Sequence, residues 1–67
     1  MTDLQNRFTY HAPKNDQPAR YEDIRKTGRE FAEVVNAHCP DSRERSLAIT
    51  KIEEAVMWAN AAIARNE

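Results

Sequence analysis

The chain has 67 residues, with 10 basic and 11 acidic side chains, a net charge of −1 and a single cysteine. A domain this short rarely gains enough stability from its own core, and one cysteine excludes an internal disulfide. The cysteine and the two histidines also fall short of the usual zinc frameworks, so association between copies remains as the source of stability. The near-neutral charge argues against binding of DNA, which calls for a broadly basic surface.

No apolar run in the sequence approaches the roughly 20 residues that a membrane-spanning helix needs. The first residues, MTDLQNRF, have no signal-peptide pattern. We therefore expect a cytoplasmic protein without a membrane segment, and the unpaired cysteine fits a reducing compartment.

An N-terminal segment, residues 1–17, is predicted to form a short helical turn followed by loop or extended chain. Thr2 is placed to cap the short turn, and helical periodicity is lost soon after it. Pro13 and Pro18 then exclude one continuous helix, because each removes a backbone donor and disfavours helical geometry in the preceding residue.

This segment contains most of the stretch RFTYHAPKNDQPARY, which combines aromatic and basic residues in a loop. Two interpretations are open. In the first, Phe8 and Tyr10 form a lid over the open side of a helical core. In the second, Tyr10 with His11 offers a stacking surface for a nucleotide base, worth roughly 1 to 3 kcal/mol per stacked base.

The first long helix is predicted over about residues 18–38. Asp16 is placed to cap it, with Pro18 in its first turn. Gly28 lies inside its apolar stripe and costs about 1 kcal/mol relative to alanine, which indicates close approach of another backbone or of a ligand. The whole stripe advances in steps of three and four and must face another helix: Tyr21, Ile24, Gly28, Phe31, Val35 and His38.

The second long helix is predicted over about residues 42–65, after a break at Cys39 and Pro40. Asp41 or Ser42 is placed to cap it. Its apolar arc is wider than one partner helix can cover. The arc consists of Ile49, Ile52, Val56, Ala59 and Ile63, widened by Leu47, Ala48, Ala55, Ala61, Ala62 and Ala64.

Met57 and Trp58 lie on the flank of this arc, where an isolated hairpin leaves much of them exposed. Burial of one such large side chain is worth roughly 1.5 to 3 kcal/mol, so several per protomer support an oligomer. We therefore predict an all-α fold. It is a single-domain, antiparallel two-helix hairpin that assembles into a symmetric homo-oligomer.

Nothing in the sequence favours catalysis. Glu53 and Glu54 adjoin each other on a helix, so their side chains diverge by about 100° and cannot act as an acid and base pair. Ser42 and Ser46 have no histidine at a useful spacing. We expect no enzymatic activity, no cofactor and no metal site.

Basic residues gather on the first half of the first long helix, where guanidinium groups would match phosphate oxygens. The other interpretation is a solvated helix face on which acidic neighbours pair with these cations. The residues by themselves leave both interpretations open. The cations are Arg20, Arg25, Lys26 and Arg29, and the acidic neighbours are Glu22, Asp23, Glu30 and Glu33.

Three stretches carry a resemblance to a known family: RFTYH near the start, ARYEDIR at the first long helix, and CPDSRERSLAITKIEEAVMWANAAIARNE through the second. Over residues 7–67 the chain resembles the small phage proteins that act as anti-CBASS cyclic-oligonucleotide sponges. The resemblance implies a helical-hairpin homohexamer, built as paired trimers, that binds bacterial immune second messengers without cleaving them.

The resemblance also implies a pocket between protomers for cyclic dinucleotides such as 3′,3′-cGAMP. An aromatic residue near the N-terminus and a basic residue on the first long helix hold the ligand in this family. Tyr10, with Phe8 and His11 beside it, matches the aromatic role, and Arg25 or its neighbour Lys26 matches the basic one.

Some members of the family hold a cyclic trinucleotide, such as cyclic tri-adenylate, in a separate pocket at the trimer centre. That pocket uses a threonine of the first long helix and an arginine near the C-terminus. By position, the matching residues here are Thr27 and Arg65.

Two other functions fit parts of the sequence. As a protein-interaction module, the chain would dock a host helix on the apolar arc of the second long helix instead of a second copy. As a small nucleic-acid-binding regulator, it would use the first long helix as a basic face, but the acidic residues along that helix speak against this.

Overall fold

The computed structural model describes residues 3–8, 10 and 12–67. Within these residues the chain is all-helical: α1 spans Asp3–Phe8, α2 spans Gln17–His38 and α3 spans Arg43–Asn66. The helices α2 and α3 pack against each other as a hairpin, as predicted. The predicted bounds of the two long helices differ from the observed ones by one residue at most, and the predicted cap Thr2 lies outside the described residues.

The hairpin is a single layer of helices, with extents of 45 × 25 × 12 Å. A layer this thin cannot enclose side chains, and no apolar side chain of the described residues is buried. Ile24, Ile52 and Val56 lie along the seam between α2 and α3 and are half-buried. Phe31, which belongs to the predicted stripe of α2, is 57% exposed.

Gly28 marks the closest approach of the two long helices. A Cβ atom at this position would overlap Cγ2 of Val56 and lie 4.0 Å from Cγ2 of Ile52. The backbone of α2 therefore fits against α3 here only because glycine has no side chain. The sequence indicated a close contact at Gly28, and the contacting surface is the β-branched side chain of Val56.

Substitution of Gly28 by alanine is expected to destabilise the hairpin by about 1–3 kcal/mol, because the added methyl group overpacks the contact with Val56. At an open helix position the same substitution would stabilise by about 1 kcal/mol. Urea unfolding monitored by circular dichroism, at one fixed protein concentration, measures the difference.

The double variant Gly28→Ala/Val56→Ala is the matched control, since the shorter Val56 side chain makes room for the new methyl group. Its loss of stability should be smaller than the sum of the two single losses. A Gly28→Ala protein as stable as the unmodified chain would contradict the close contact.

The connection between α2 and α3 is held by polar groups. Ser42 caps α3: its Oγ accepts a hydrogen bond from the Arg45 backbone N–H at 3.1 Å and donates to the Pro40 carbonyl at 3.0 Å. The Arg45 guanidinium donates to the Cys39 carbonyl at 3.2 Å and to Asp41 Oδ1 at 3.1 Å. Of the two residues considered as caps, Ser42 has the role, and Asp41 pairs with Arg45 instead.

A tight turn leads into α2. The Gln17 backbone N–H donates to the Lys14 carbonyl at 2.8 Å, and Asn15 between them has a left-handed φ of 47°, which asparagine tolerates better than most residues. Asp16 occupies the N-cap position but its side chain accepts no capping hydrogen bond. Its carboxylate lies 3.3 Å from Arg20 Nε, so the expected cap is replaced by an ion pair.

The most buried side chain of the described residues is polar. Gln17 is only 4% exposed, and its amide joins three parts of the chain. Its Oε1 accepts the Lys14 backbone N–H at 2.9 Å and the Tyr21 hydroxyl at 3.5 Å, while its Nε2 donates to Glu67 Oε1 at 3.3 Å. We call these contacts the Gln17 junction, because they connect the loop before α2 to the residue that follows α3.

Glu67 is also paired with Arg20, whose Nη1 donates to Glu67 Oε2 at 3.0 Å and whose Nη2 contacts Oε1. The hydrogen bond from Arg20, and then the one from Gln17, hold the pKa of Glu67 below its usual value. The same bond to Glu67 raises the pKa of Arg20. The end of α3 is thus fixed to the first turn of α2 by groups that are charged at neutral pH.

Acidification is expected to weaken this contact. Because the pKa of Glu67 is lowered on folding, the carboxylate contributes stability above the ordinary glutamate pKa, and that contribution is lost as the pH falls through the lowered value. Melting temperatures across the acidic range should therefore depend less on pH in Glu67→Gln than in the unmodified protein.

Glu53→Gln, which alters an exposed glutamate of α3, is the control and should retain the unmodified pH dependence. If Glu67→Gln and the unmodified chain have parallel pH profiles, the Glu67 carboxylate does not stabilise the hairpin.

Candidate functional site

The aromatic side chains before α2 do not cover the hairpin. Phe8, at the end of α1, is 83% exposed, and Tyr10 is 77% exposed. The interpretation of these residues as a lid over the open side of a core is therefore wrong for a single chain, which leaves both ring faces accessible. We call the segment that carries Phe8 and Tyr10 the aromatic arm; His11, predicted to act with them, lies outside the described residues.

The two candidate cations project from the first half of α2. Arg25 Nη2 lies 2.9 Å from Glu22 Oε2, and Lys26 Nζ lies 4.0 Å from Glu30 Oε1. Arg29 likewise pairs with Glu33, with 3.6 Å between Nε and Oε1. Arg25 and Arg29 are like charges four residues apart on the helix, and these acidic partners offset the repulsion between them. Side chains in these pairs are more than half exposed, and such surface pairs are worth only about 0–1 kcal/mol.

One chain does not bring these cations and the aromatic arm into an enclosed pocket. The arm reaches the hairpin at Lys14 and Gln17, and Arg25 lies about two helical turns further along α2, roughly 12 Å in helix rise. Tyr10 remains mostly exposed. A pocket that holds one ligand by both an aromatic ring and a cation therefore needs further protein surface to enclose it.

A groove runs along one face of the hairpin, between α2 and α3, with a volume of about 640 Å³. Its floor is apolar, and Asp23 and Lys51 line it with opposite charges. Thr27, the candidate threonine of the trinucleotide pocket, lines this groove. Among the described candidates, Phe8, Tyr10, Arg25 and Lys26 do not. The principal lining residues are Ile24, Gly28, Phe31 and Val35 of α2, with Ala48, Ile52, Ala55, Val56 and Ala59 of α3.

Arg65, the second candidate for the trinucleotide pocket, lies in the last turn of α3 and is exposed. The contact between Glu67 and Arg20 places this turn beside the start of α2. Thr27 lies about two turns beyond Arg20, roughly 10 Å along the helix. Thr27 lines the groove and Arg65 does not, so the groove does not bring the two candidates together.

Sequence reasoning missed the Gln17 junction. Glutamine is mostly exposed in proteins, and a single glutamine before a proline has no pattern that predicts burial. Its role depends on Glu67, which is distant in the sequence and is brought close only by the antiparallel hairpin.

The described part of the chain contains no group of three or more histidine, cysteine, aspartate or glutamate side chains that could hold a metal ion. Over the same residues, none of the helices has the length and apolar content required to cross a membrane.

Comparison with known proteins gives one match. The model of the family described as Acb2/Tad1, hairpin domain, matches residues 2–64. No curated protein and no solved structure matches the chain. The matched range includes α2, α3 except for its last two residues, the aromatic arm and all of the candidate residues apart from Arg65. The chain therefore belongs to the Acb2/Tad1 hairpin-domain family, the anti-CBASS cyclic-oligonucleotide sponges.

Proposed function

We propose that this protein binds cyclic oligonucleotide second messengers and sequesters them without cleavage, so that they do not reach the effector of a bacterial CBASS defence. It acts in the cytoplasm of the infected bacterium. Family membership is the observation that carries the proposal. The primary ligand is a cyclic dinucleotide such as 3′,3′-cGAMP, and a cyclic trinucleotide such as cyclic tri-adenylate is the candidate for the second pocket.

The exposed rings of the aromatic arm support this function. A base that stacks on Tyr10 gains roughly 1 to 3 kcal/mol without any readout of its sequence. A ligand that covers an exposed ring also removes apolar surface from water, which is favourable. Phe8 and His11 are the neighbouring candidates for contact with the same ligand.

The paired cations of α2 support phosphate binding. Arg25 and Lys26 are held only by exposed ion pairs with Glu22 and Glu30. A phosphate in a partly desolvated pocket forms stronger charge-assisted hydrogen bonds than these surface pairs do. Exchange of a glutamate partner for a ligand phosphate is therefore favourable without a positive charge on the whole protein.

Calorimetric titration with a panel of cyclic di- and trinucleotides tests the proposal. At least one ligand is expected to bind with a dissociation constant between nanomolar and low micromolar, and to be recovered intact after denaturation of the protein. Tyr10→Ala should weaken dinucleotide binding by about 1 to 3 kcal/mol through lost stacking. Arg25→Ala or Lys26→Ala should weaken it by about 1.5 to 3 kcal/mol through the lost phosphate contact.

Arg43→Ala provides the matched control, since it removes an exposed cation at the opposite end of the hairpin and should leave dinucleotide affinity unchanged. The absence of heat with every ligand of the panel, or recovery of linear products, would refute sequestration.

The proposal includes a homo-oligomer, with the hexamer as the expected form. Two observations support association: no apolar side chain of the described residues is buried, and Met57 and Trp58 are 54% and 55% exposed. The occupant proposed for the groove is a second copy of the chain. The small side chains of Ala48, Ala55 and Ala59 allow a helix to approach closely, and the opposite charges of Asp23 and Lys51 are self-complementary between copies.

Ala55→Glu is expected to break the oligomer, because it places a charge on the apolar floor of the groove. Thr50→Glu adds the same charge at an exposed position of α3 and is the control. Light scattering after gel filtration should give an oligomeric mass for the unmodified protein and for Thr50→Glu, and a smaller mass for Ala55→Glu.

A folded unmodified protein that stays monomeric at micromolar concentration would overturn the self-association. It would favour the alternative, in which the apolar face of the hairpin docks a helix of a host protein.

A further inference from the structure

The apolar stripes of the two long helices do not explain why the Gln17 side chain is buried. A glutamine is the most buried of the described residues, although every apolar side chain among them is at least partly exposed. A buried amide is costly unless its polar atoms are hydrogen-bonded. Both polar atoms of the Gln17 amide are bonded, so the junction is a formed structural unit and not an accident of packing.

Besides the Tyr21 hydroxyl on its own helix, Gln17 has two partners that show what the junction holds. One is the backbone N–H of Lys14, a group of the segment that leads back to Tyr10. The other is the Glu67 carboxylate, which follows α3 at the same, open end of the hairpin. Lys14 contributes a second contact, since its Nζ lies 3.3 Å from the Glu67 carbonyl oxygen. Lys14 therefore anchors this segment through its backbone to Gln17 of α2 and through its side chain to Glu67, the residue that follows α3.

Phe8 and Tyr10 are mostly exposed, so apolar packing against the hairpin contributes little to their position. Binding that must first order a loose segment loses affinity by the cost of that ordering. The hydrogen bond between Lys14 and Gln17 anchors the chain four residues after Tyr10, which reduces the cost of ordering before the ligand binds.

We propose that Gln17 is a positioning residue for the dinucleotide site: by binding the Lys14 backbone and Glu67 together, it sets where the aromatic arm leaves the hairpin and so where Tyr10 meets a base. This inference rests on the proposed function. Gln17 touches no ligand itself; it acts through the arm.

A double-mutant cycle between Gln17 and Tyr10 tests the proposal, with the full-length protein and 3′,3′-cGAMP as the probe. Gln17→Leu keeps an apolar body of similar size but cannot accept the Lys14 N–H. It is expected to weaken dinucleotide binding about tenfold, measured by calorimetry. In a Tyr10→Ala background the same change should have little further effect, because the ring it positions is absent.

Two further measurements separate positioning from general stability. Arg45→Ala removes the polar contacts at the opposite end of the hairpin and should leave dinucleotide affinity unchanged, even where it lowers the melting temperature. Amide exchange should be faster at Lys14 in Gln17→Leu than in the unmodified protein, without ligand, while amides at the centres of α2 and α3 stay protected.

The outcomes are distinct. If the unmodified protein binds no dinucleotide, the proposed function fails, and this inference with it. If the unmodified protein binds but Gln17→Leu binds equally well, only this inference fails. Losses that add independently in the Gln17→Leu/Tyr10→Ala protein would also overturn it, because Gln17 would then act on something other than the arm.

Discussion

Two helices packed side by side share one seam, and this constraint governs the rest of the molecule. Gly28 lets the seam close against Val56, but a single layer has no second layer to cover its faces. The apolar residues of the two helices are therefore half-buried or exposed, and an apolar groove stays open between α2 and α3. A hairpin built in this way has surface for association on the same helices that give it its shape.

Polar groups hold the two ends of the hairpin. Arg45 and Ser42 fix the connection between α2 and α3, and the Gln17 junction with Glu67 fixes the open end. Hydrogen bonds have strict geometry. The junctions, together with the contact between Gly28 and Val56, thus define the register of the two helices, and the seam contributes the area of contact.

The candidate binding groups share one property: within a single chain, none of those that the structure describes lies in an enclosed pocket. Tyr10 is mostly exposed, and Arg25 is held by an exposed ion pair. Thr27 lies in the middle of α2 and Arg65 in the last turn of α3. A cyclic ligand with two bases and two phosphates would match groups that a two-fold assembly presents twice. Family membership and the incomplete use of these groups in one chain are the grounds on which we propose sites between copies.

The sequence by itself determined the two long helices, the break at Pro40 and the close contact at Gly28, because periodicity, proline and glycine act locally on the backbone. It also supported the family assignment through the residues of α3. It did not predict which of Asp41 and Ser42 caps α3, nor that Asp16 would pair with Arg20. The backbone conformation at the cap position decides this: Ser42 is extended and caps, whereas Asp16 has a ψ of 4° and does not. Only the tertiary structure placed Glu67 beside Gln17 and left Tyr10 exposed, because contacts between distant residues exist only after the hairpin has closed.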